Sequence, residues 1–171
     1  MIVTRTGALA LVAVLLLAAC GGEKGGDRGW LKAKRTEVSG TVAGVAFTLQ
    51  VPEGMGKSSA PSGMEAWGGP NEEPKFTISV TDEAIASVDS AVAATAMPDT
   101  PEPILKQAEV PGGFLVTRSN QPGDLINVHL FRRSGSKTMK CLGQFRSSGK
   151  PDDVAVVQAA LEEICLTLAP K

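Results

Sequence analysis

The chain has 171 residues and a formal net charge of −1, and aromatic residues make up only 4% of it, with no tyrosine. A near-neutral chain lacks the clustered basic surface that a nucleic-acid backbone requires, so we expect no nucleic-acid partner. Its length suits one domain that buries a core of its own and needs no metal to fold.

The chain opens with a short apolar segment. Ala8 to Ala19 is continuously apolar and follows a single charged residue, Arg5. These 12 residues are too few for a membrane-spanning helix, which needs about 20. Small residues at the end of such a segment are typical of a secretory signal peptide. We therefore predict a signal peptide over residues 1–19.

Leu17-Ala18-Ala19-Cys20, at the end of this segment, resembles the lipobox of bacterial lipoproteins. The resemblance implies cleavage before Cys20, attachment of a diacylglycerol to its thiol and often acylation of the new amine, for example with palmitate. Each buried methylene contributes about 0.8 kcal/mol, so two or three chains anchor a protein firmly. We expect a lipoprotein of the bacterial cell envelope; the alternative is an ordinary cleavage site that precedes a cysteine. Gly21, in place of the aspartate that signals inner-membrane retention, favours the periplasmic side of an outer membrane in a two-membrane bacterium.

Residues 20–35 are interpreted as the lipidated N-terminus and a flexible tether, because they are rich in glycine and show no apolar periodicity. Trp30 lies among basic residues and could contact anionic lipid headgroups. A solvated linker with one aromatic residue is the other interpretation. A single folded domain is then expected over residues 36–171.

Two cysteines, Cys141 and Cys165, remain once Cys20 is assigned to the lipid. An even pair in an oxidising compartment predicts a disulfide, which would stabilise the fold by about 3–4 kcal/mol in the chain-entropy picture. Two buried free thiols are the alternative. We expect no metal site, because the spacing does not fit one and the chain has a single histidine.

Strands are predicted wherever apolar residues alternate with polar ones between turn residues, beginning with a hairpin about Ala43-Gly44. The predicted strands cover residues 37–42, 45–51, 64–67, 75–81, 104–110, 113–119, 125–132 and 137–146.

Two helices are predicted. The first begins at Thr81 as its cap, carries apolar residues at helical spacing from Ile85 to Ala96 and ends before Pro98. The second covers residues 152–168, where an apolar stripe follows a proline and two aspartates.

Residues with catalytic potential are scattered. His129 is the only histidine, and a half-buried or surface position explains it better than a general base. Glu72 and Glu73 could join Asp82 and Glu83 in an oxygen-ligand site, but the ordered spacing of a calcium loop is missing. Glu162 is expected to face water, and Arg132-Arg133 to lie on a solvated strand edge. We therefore assign no catalytic residue, expect no cofactor and predict that the protein is not an enzyme.

The long loop from Met55 to Pro74 is the best candidate for contacts with a partner, because loops on rigid scaffolds often carry function. Met55, Met64 and Trp67 could present apolar surface there. The alternative is that Trp67 packs into the core as part of a strand.

The order of the elements completes the prediction. A strand that runs into Pro52-Glu53-Gly54, a helix, a strand meander and a C-terminal helix ending Ile164-Cys165-Leu166-Thr167-Leu168 resemble the PsbP/DcrB-like superfamily over residues 36–169. The resemblance implies an α+β fold, in which helices flank an antiparallel sheet and the C-terminal helix packs on it. It also implies an accessory or binding protein of the envelope rather than an enzyme. The alternatives are a carrier or sensor of a small apolar ligand or lipid and an enzyme whose site is not recognised.

Overall fold

The computed structural model describes residues 28–97, 100, 102–120 and 123–171 as an α+β fold. The strands are β1 (Arg35–Val42), β2 (Val45–Pro52), β3 (Gly56–Ser58), β4 (Glu65–Gly68), β5 (Lys75–Thr81), β6 (Ile104–Val110), β7 (Gly113–Ser119), β8 (Leu125–Ser134), β9 (Lys137–Arg146) and β10 (Ala169–Pro170). The helices are α1 (Val88–Ala93) and α2 (Pro151–Leu166), with short 3₁₀ turns at Gly29–Leu31 and Pro70–Glu72.

The strands form two antiparallel sheets. The small sheet has the order β1-β2-β10, and the large sheet has the order β3-β4-β5-β9-β8-β7-β6. β6 to β9 form a continuous meander, because each strand pairs with the next along the chain. The predicted fold class, an antiparallel sheet with flanking helices, is confirmed.

The main core lies between one face of the large sheet, the small sheet and α2. Alternation along each strand sends every second residue to this face, as in β8, where Ile126, Val128 and Leu130 are fully buried. Val157, Leu161 and Ile164 on α2 pack against the same cluster. We call the opposite side of the large sheet, which carries α1, the second face.

A disulfide joins α2 to the large sheet. It links Cys141 on β9 to Cys165 on α2, with a Cα–Cα distance of 5.7 Å. Both cysteines are fully buried in the main core. This is the predicted pairing.

The first helix is much shorter than predicted. α1 begins at Val88, after an extended segment that follows β5, and its cap is Ser87 rather than Thr81. The Ser87 side chain accepts a hydrogen bond from the Ser90 backbone, and the Ser90 side chain accepts one from the Ser87 backbone. The prediction was wrong because this reciprocal serine cap competes successfully with the acidic residues near Thr81. Pro98, the predicted stop, lies outside the described residues.

Ordered packing begins before the predicted boundary at residue 36. Trp30 is only 7% exposed, and its ring lies 5.2 Å from that of Phe145. Both interpretations of Trp30, as a headgroup contact or as part of a solvated linker, were wrong. The last residues of the predicted tether belong to the domain.

No helix within the described ranges is long and apolar enough to cross a membrane.

Candidate functional site

The lipidation residue lies outside the part of the chain that the structure describes. Cys20 and the signal segment fall within residues 1–27, so the anchor stays a prediction.

The residues proposed for partner contact do not form one exposed surface. Trp67 lies on β4, is 3% exposed and meets Phe47 edge-on at 5.7 Å between ring centroids. Its packing in the core is the alternative that the sequence left open. Met55 is half-buried against the core, and only Met64 is exposed. The three residues thus do not form one exposed apolar patch.

Glu162 corrects a prediction, because it faces the sheet and is only 6% exposed. Its carboxylate accepts hydrogen bonds from Lys106 Nζ at 2.5 Å, Thr117 Oγ1 at 2.9 Å and Gln158 Nε2 at 2.8 Å. A buried carboxylate is tolerable when several donors surround it. The sequence offered no signal for this contact, since Lys106 is on a distant edge strand.

The second face of the large sheet carries a hydrogen-bonded polar cluster. Arg118 on β7 donates to Thr95 Oγ1 at 2.7 Å and to the carbonyl oxygens of Glu102 and Val92 at 2.8 and 3.1 Å. Val92 lies in α1 and Thr95 follows it, so a single guanidinium ties the end of the helix and the segment before β6 to the sheet. Asn127 lies on β8 beside this cluster and donates to the Glu102 carboxylate at 3.4 Å.

His129 lies on the second face between two positive charges. It is 8% exposed, and its Nδ1 is buried with no hydrogen-bond partner among the described residues. Burial, with the charges of Lys140 and Arg118 as smaller causes, lowers the pKa of His129 to about 3. The imidazole is therefore neutral at physiological pH.

One end of the second face holds a pocket of about 210 Å³, which we call the Phe131 pocket. It opens beside the β6–β7 turn, where a Cβ on Gly113 would overlap the Phe131 carbonyl oxygen. Its lining is mainly apolar, with one buried hydroxyl and two charged side chains. The lining residues are Ile85, Glu109, Val110, Gly112, Gly113, Phe114, Phe131, Arg133 and Thr138.

Two opposite charges line the Phe131 pocket. Glu109 on β6 and Arg133 on β8 are both exposed, and neither side chain forms a hydrogen bond or ion pair with any residue that the structure describes. The predicted solvated edge at Arg132-Arg133 thus applies to Arg133. Arg132 instead is partly buried and donates to the carbonyl oxygens of Pro111 and Leu166. Because Glu109 and Arg133 lie on different strands and far apart in the sequence, no sequence motif identifies this pair.

The carboxylates considered as a cation site do not converge. Glu72 binds Lys75 Nζ at 3.1 Å and Ser59 Oγ at 3.1 Å, and these hydrogen bonds lower its pKa. Asp82 lies 3.9 Å from Lys137 instead. In the described ranges, no group of three or more potential ligand residues could hold a metal ion.

Comparison with known proteins gives the fold. The chain is similar to the solution structure of cyanobacterial PsbP (CyanoP) from Synechocystis sp. PCC 6803, with a TM-score of 0.54 and 11% identity over 91% of this chain and 99% of that one. A crystal structure from Bacteroides thetaiotaomicron VPI-5482 aligns with 73% of this chain and 45% of its own length, at 12% identity and a TM-score of 0.44, which is too low to bear on the fold. No family model matches the chain. No curated protein matches it either. The likeness to CyanoP supports the PsbP-like resemblance, and at this level of identity it concerns the fold alone.

Proposed function

We propose that this protein is a lipid-anchored, non-enzymatic accessory module of the bacterial cell envelope, which binds another envelope protein through its folded domain. The lipobox resemblance at Cys20 supports the anchor. The PsbP-like fold supports the accessory role, because the PsbP/DcrB-like resemblance implies binding rather than catalysis.

The polar groups of the domain also support a binding role. Two hydrogen bonds of Glu162 hold α2 onto the sheet, and three hydrogen bonds of Arg118 hold the end of α1 and the segment before β6 onto it. His129 is buried and neutral, with cationic neighbours. Glu162 and Arg118 thus tie elements together, and this arrangement suits a rigid scaffold.

The edge strand β6 is the surface through which we propose that the domain contacts its partner. It ends the large sheet and pairs only with β7 among the described strands. Ile104 and Leu105 at its start are 43% and 39% exposed. The register shifts between Ile104 and Lys106, and such irregularities discourage open-ended strand addition. An edge of this kind fits one specific partner that contacts its apolar side chains.

Site-specific photocrosslinking in intact cells tests the partner surface. A photoreactive residue at Leu105 should capture one discrete protein, whereas the same residue at Glu37, which is exposed on the small sheet, should not. The double variant Ile104→Lys and Leu105→Lys should abolish capture by a crosslinker placed at Gln107. Equal capture from Leu105 and Glu37, or none from either, would contradict the proposed surface.

Membrane fractionation tests the anchor separately. The Cys20→Ser variant should leave the membrane fraction, and mass spectrometry of the wild-type protein should show a lipid-modified N-terminus that begins at Cys20. Retention of Cys20→Ser in the membrane would count against the anchor.

The alternative function, a carrier or sensor of a small ligand, has one observation in its favour. The Phe131 pocket lies on the second face of the large sheet, beside Ile85 in the segment that precedes α1. Its volume of about 210 Å³ is below the roughly 300–1,000 Å³ of sites for drug-sized ligands. The pocket therefore favours a small molecule over a long acyl chain.

A further inference from the structure

The Phe131 pocket combines an apolar interior with two charges of opposite sign, neither of which is paired within the described part of the chain. Ile85, Phe114 and Phe131 provide the apolar side chains of the lining, whereas the Val110 side chain packs against the main core. Phe131 belongs, with Ile85 and Phe114, to a second apolar cluster that is separate from the main core. An apolar group that entered the pocket would extend this cluster and lose its contact with water.

The volume sets the size of that group. A cavity of about 150 Å³ with apolar walls is enough to bind benzene. The Phe131 pocket, at about 210 Å³, therefore accommodates a branched aliphatic chain or one aromatic ring, together with part of a polar head. It is too small for a peptide of several residues or a lipid tail.

The strand register places the two charges on either side of the aromatic floor. Glu109 is directly opposite Phe114, and Phe114 is directly opposite Phe131. Glu109 thus lies two strands, or about 10 Å, from Phe131 in the sheet, and Arg133 lies two residues, or about 7 Å, further along β8. Both side chains are long and point to the same side of the sheet, so a small polar head between them is within reach of each.

A carboxylate and a guanidinium that remain unpaired beside one apolar pocket match a ligand that carries both complementary charges. Arg133 can bind a carboxylate through two parallel N–H groups. Glu109 can accept hydrogen bonds from an ammonium group. Thr138, whose buried hydroxyl also lines the pocket, adds a polar group on the strand paired with Arg133.

We propose that the Phe131 pocket binds a free apolar α-amino acid, with its side chain against Phe114 and Phe131, its carboxylate on Arg133 and its ammonium on Glu109. An α-amino acid carries both charges on one carbon beside a single apolar side chain, as the lining requires. A longer peptide would separate its terminal charges beyond the span of these two side chains. The proposal rests on the alternative ligand-binding function and gives that function a ligand class.

Isothermal titration calorimetry on the full purified chain tests the site, with L-leucine and L-phenylalanine as probes. We expect at least one of them to bind with a dissociation constant of about 1 mM or lower, the range open to ligands of this size. The probe 4-methylpentanoic acid lacks the ammonium group of leucine, and 3-methylbutylamine lacks its carboxylate. Each should bind about tenfold more weakly, the loss expected for one charge-assisted hydrogen bond.

Two charge-neutralising variants locate the ligand. Arg133→Gln and Glu109→Gln should each weaken amino-acid binding about tenfold. Their melting temperatures should stay unchanged, because neither side chain has a partner among the residues that the structure describes. Lys32→Gln and Glu37→Gln remove exposed charges away from the pocket and serve as matched controls.

Three results would overturn the proposal: no binding of either amino acid at 20-fold above the expected dissociation constant, equal binding of leucine and the two analogues, or unchanged binding in both pocket variants. These outcomes are independent of the photocrosslinking and fractionation results. If the protein crosslinks a partner but binds no amino acid, the proposed ligand site is wrong and the proposed partner surface is unaffected.

Discussion

At the residue scale, His129 predicts a specific loss of stability in acid. In the folded protein the pKa of His129 is about 3, chiefly because burial disfavours the charged imidazole. In the unfolded chain the pKa of a histidine is about 6.5. Between these values the unfolded chain binds more protons than the folded one, so stability is full above about pH 6.5 and falls as the pH decreases. The slope approaches about 1.4 kcal/mol per pH unit.

Chemical unfolding at pH 7 and pH 5 measures this effect. The wild-type protein should lose about 2 kcal/mol of unfolding free energy over that interval through His129 alone. The His129→Gln variant should lose about 2 kcal/mol less unfolding free energy than the wild-type protein over this interval, because glutamine does not titrate. Carboxylates with lowered pKa values, such as those of Asp124 and Asp153, are present in both proteins and cancel in the comparison. An identical pH dependence in both proteins would show that His129 is accessible to protons in the folded state.

The backbone conformation of Ala43 is unfavourable for a residue that has a Cβ atom. In the turn between β1 and β2, Ala43 has φ of 49° and Gly44 has φ of 79°. Two-residue hairpin turns with positive φ at both positions favour asparagine followed by glycine, because a Cβ is strained in this region.

The Ala43→Asn variant should therefore be more stable. We expect a gain of about 0.5–1 kcal/mol, which corresponds to a melting temperature about 1–4 °C higher for a chain of this length. A thermal scan checks the gain, with Ala46→Asn on the exposed face of β2 as the control. An unchanged melting temperature, or an equal rise in the control, would indicate that Ala43 adopts this backbone conformation without a free-energy cost.

At the element scale, the position of α2 depends on polar contacts as well as on its apolar stripe. Glu162 joins the helix to β6 and β7 through Lys106 and Thr117. Removing the carboxylate leaves the buried Thr117 hydroxyl without its acceptor, and an unsatisfied buried group costs about 1–3 kcal/mol.

The prediction is that Glu162→Ala lowers the unfolding free energy by about 1–3 kcal/mol, measured by urea unfolding. Glu163→Ala is the matched control, since Glu163 is next in sequence, is 71% exposed and approaches Arg35 only to 3.9 Å. Its effect should lie within about 0.5 kcal/mol. Equal effects of the two substitutions would mean that the Glu162 contacts contribute nothing net to the docking of α2.

The same elements show what local sequence can predict. β5, β7 and β9 were predicted with the bounds that the structure gives, because alternation and turn residues act over a few neighbouring positions. The disulfide followed from the number of cysteines and the inferred compartment. The short strand β3 was missed because its three residues carry no alternating apolar pattern.

The errors and omissions at the site share a cause, which is contact between residues that are far apart in the chain. The environment of Glu162 is set by Lys106, and the Phe131 pocket joins Ile85 to residues on four strands. Local patterns report which side of an element is apolar, but not which element covers it. The sequence of α2 alone therefore predicts that Glu162 faces water, because it does not show that Lys106 on β6 lies opposite.

At the scale of the whole molecule, the domain includes a segment that composition assigned to the tether. The 3₁₀ turn at Gly29–Leu31 places Trp30 against Phe145 on β9. Nearby, Arg28 pairs with Asp153 at 2.5 Å in the first turn of α2. The N-terminal segment is therefore fixed to both the large sheet and the C-terminal helix. The folded domain therefore includes Trp30, which the sequence alone had assigned to the tether.

This boundary predicts that Trp30→Ala destabilises the whole domain rather than altering only its attachment. Truncation of a buried tryptophan costs about 3–5 kcal/mol when it is fully enclosed. Trp30 also lines an open groove of about 290 Å³, so we expect the lower end, about 3 kcal/mol, from urea unfolding. Lys32→Ala, two residues further on and exposed, should change stability by less than about 0.5 kcal/mol. If Trp30→Ala proved equally mild, the contact between Trp30 and Phe145 would contribute little to the stability of the domain. A loss of about 3 kcal/mol would instead show that the segment around Trp30 is an integral part of the folded domain.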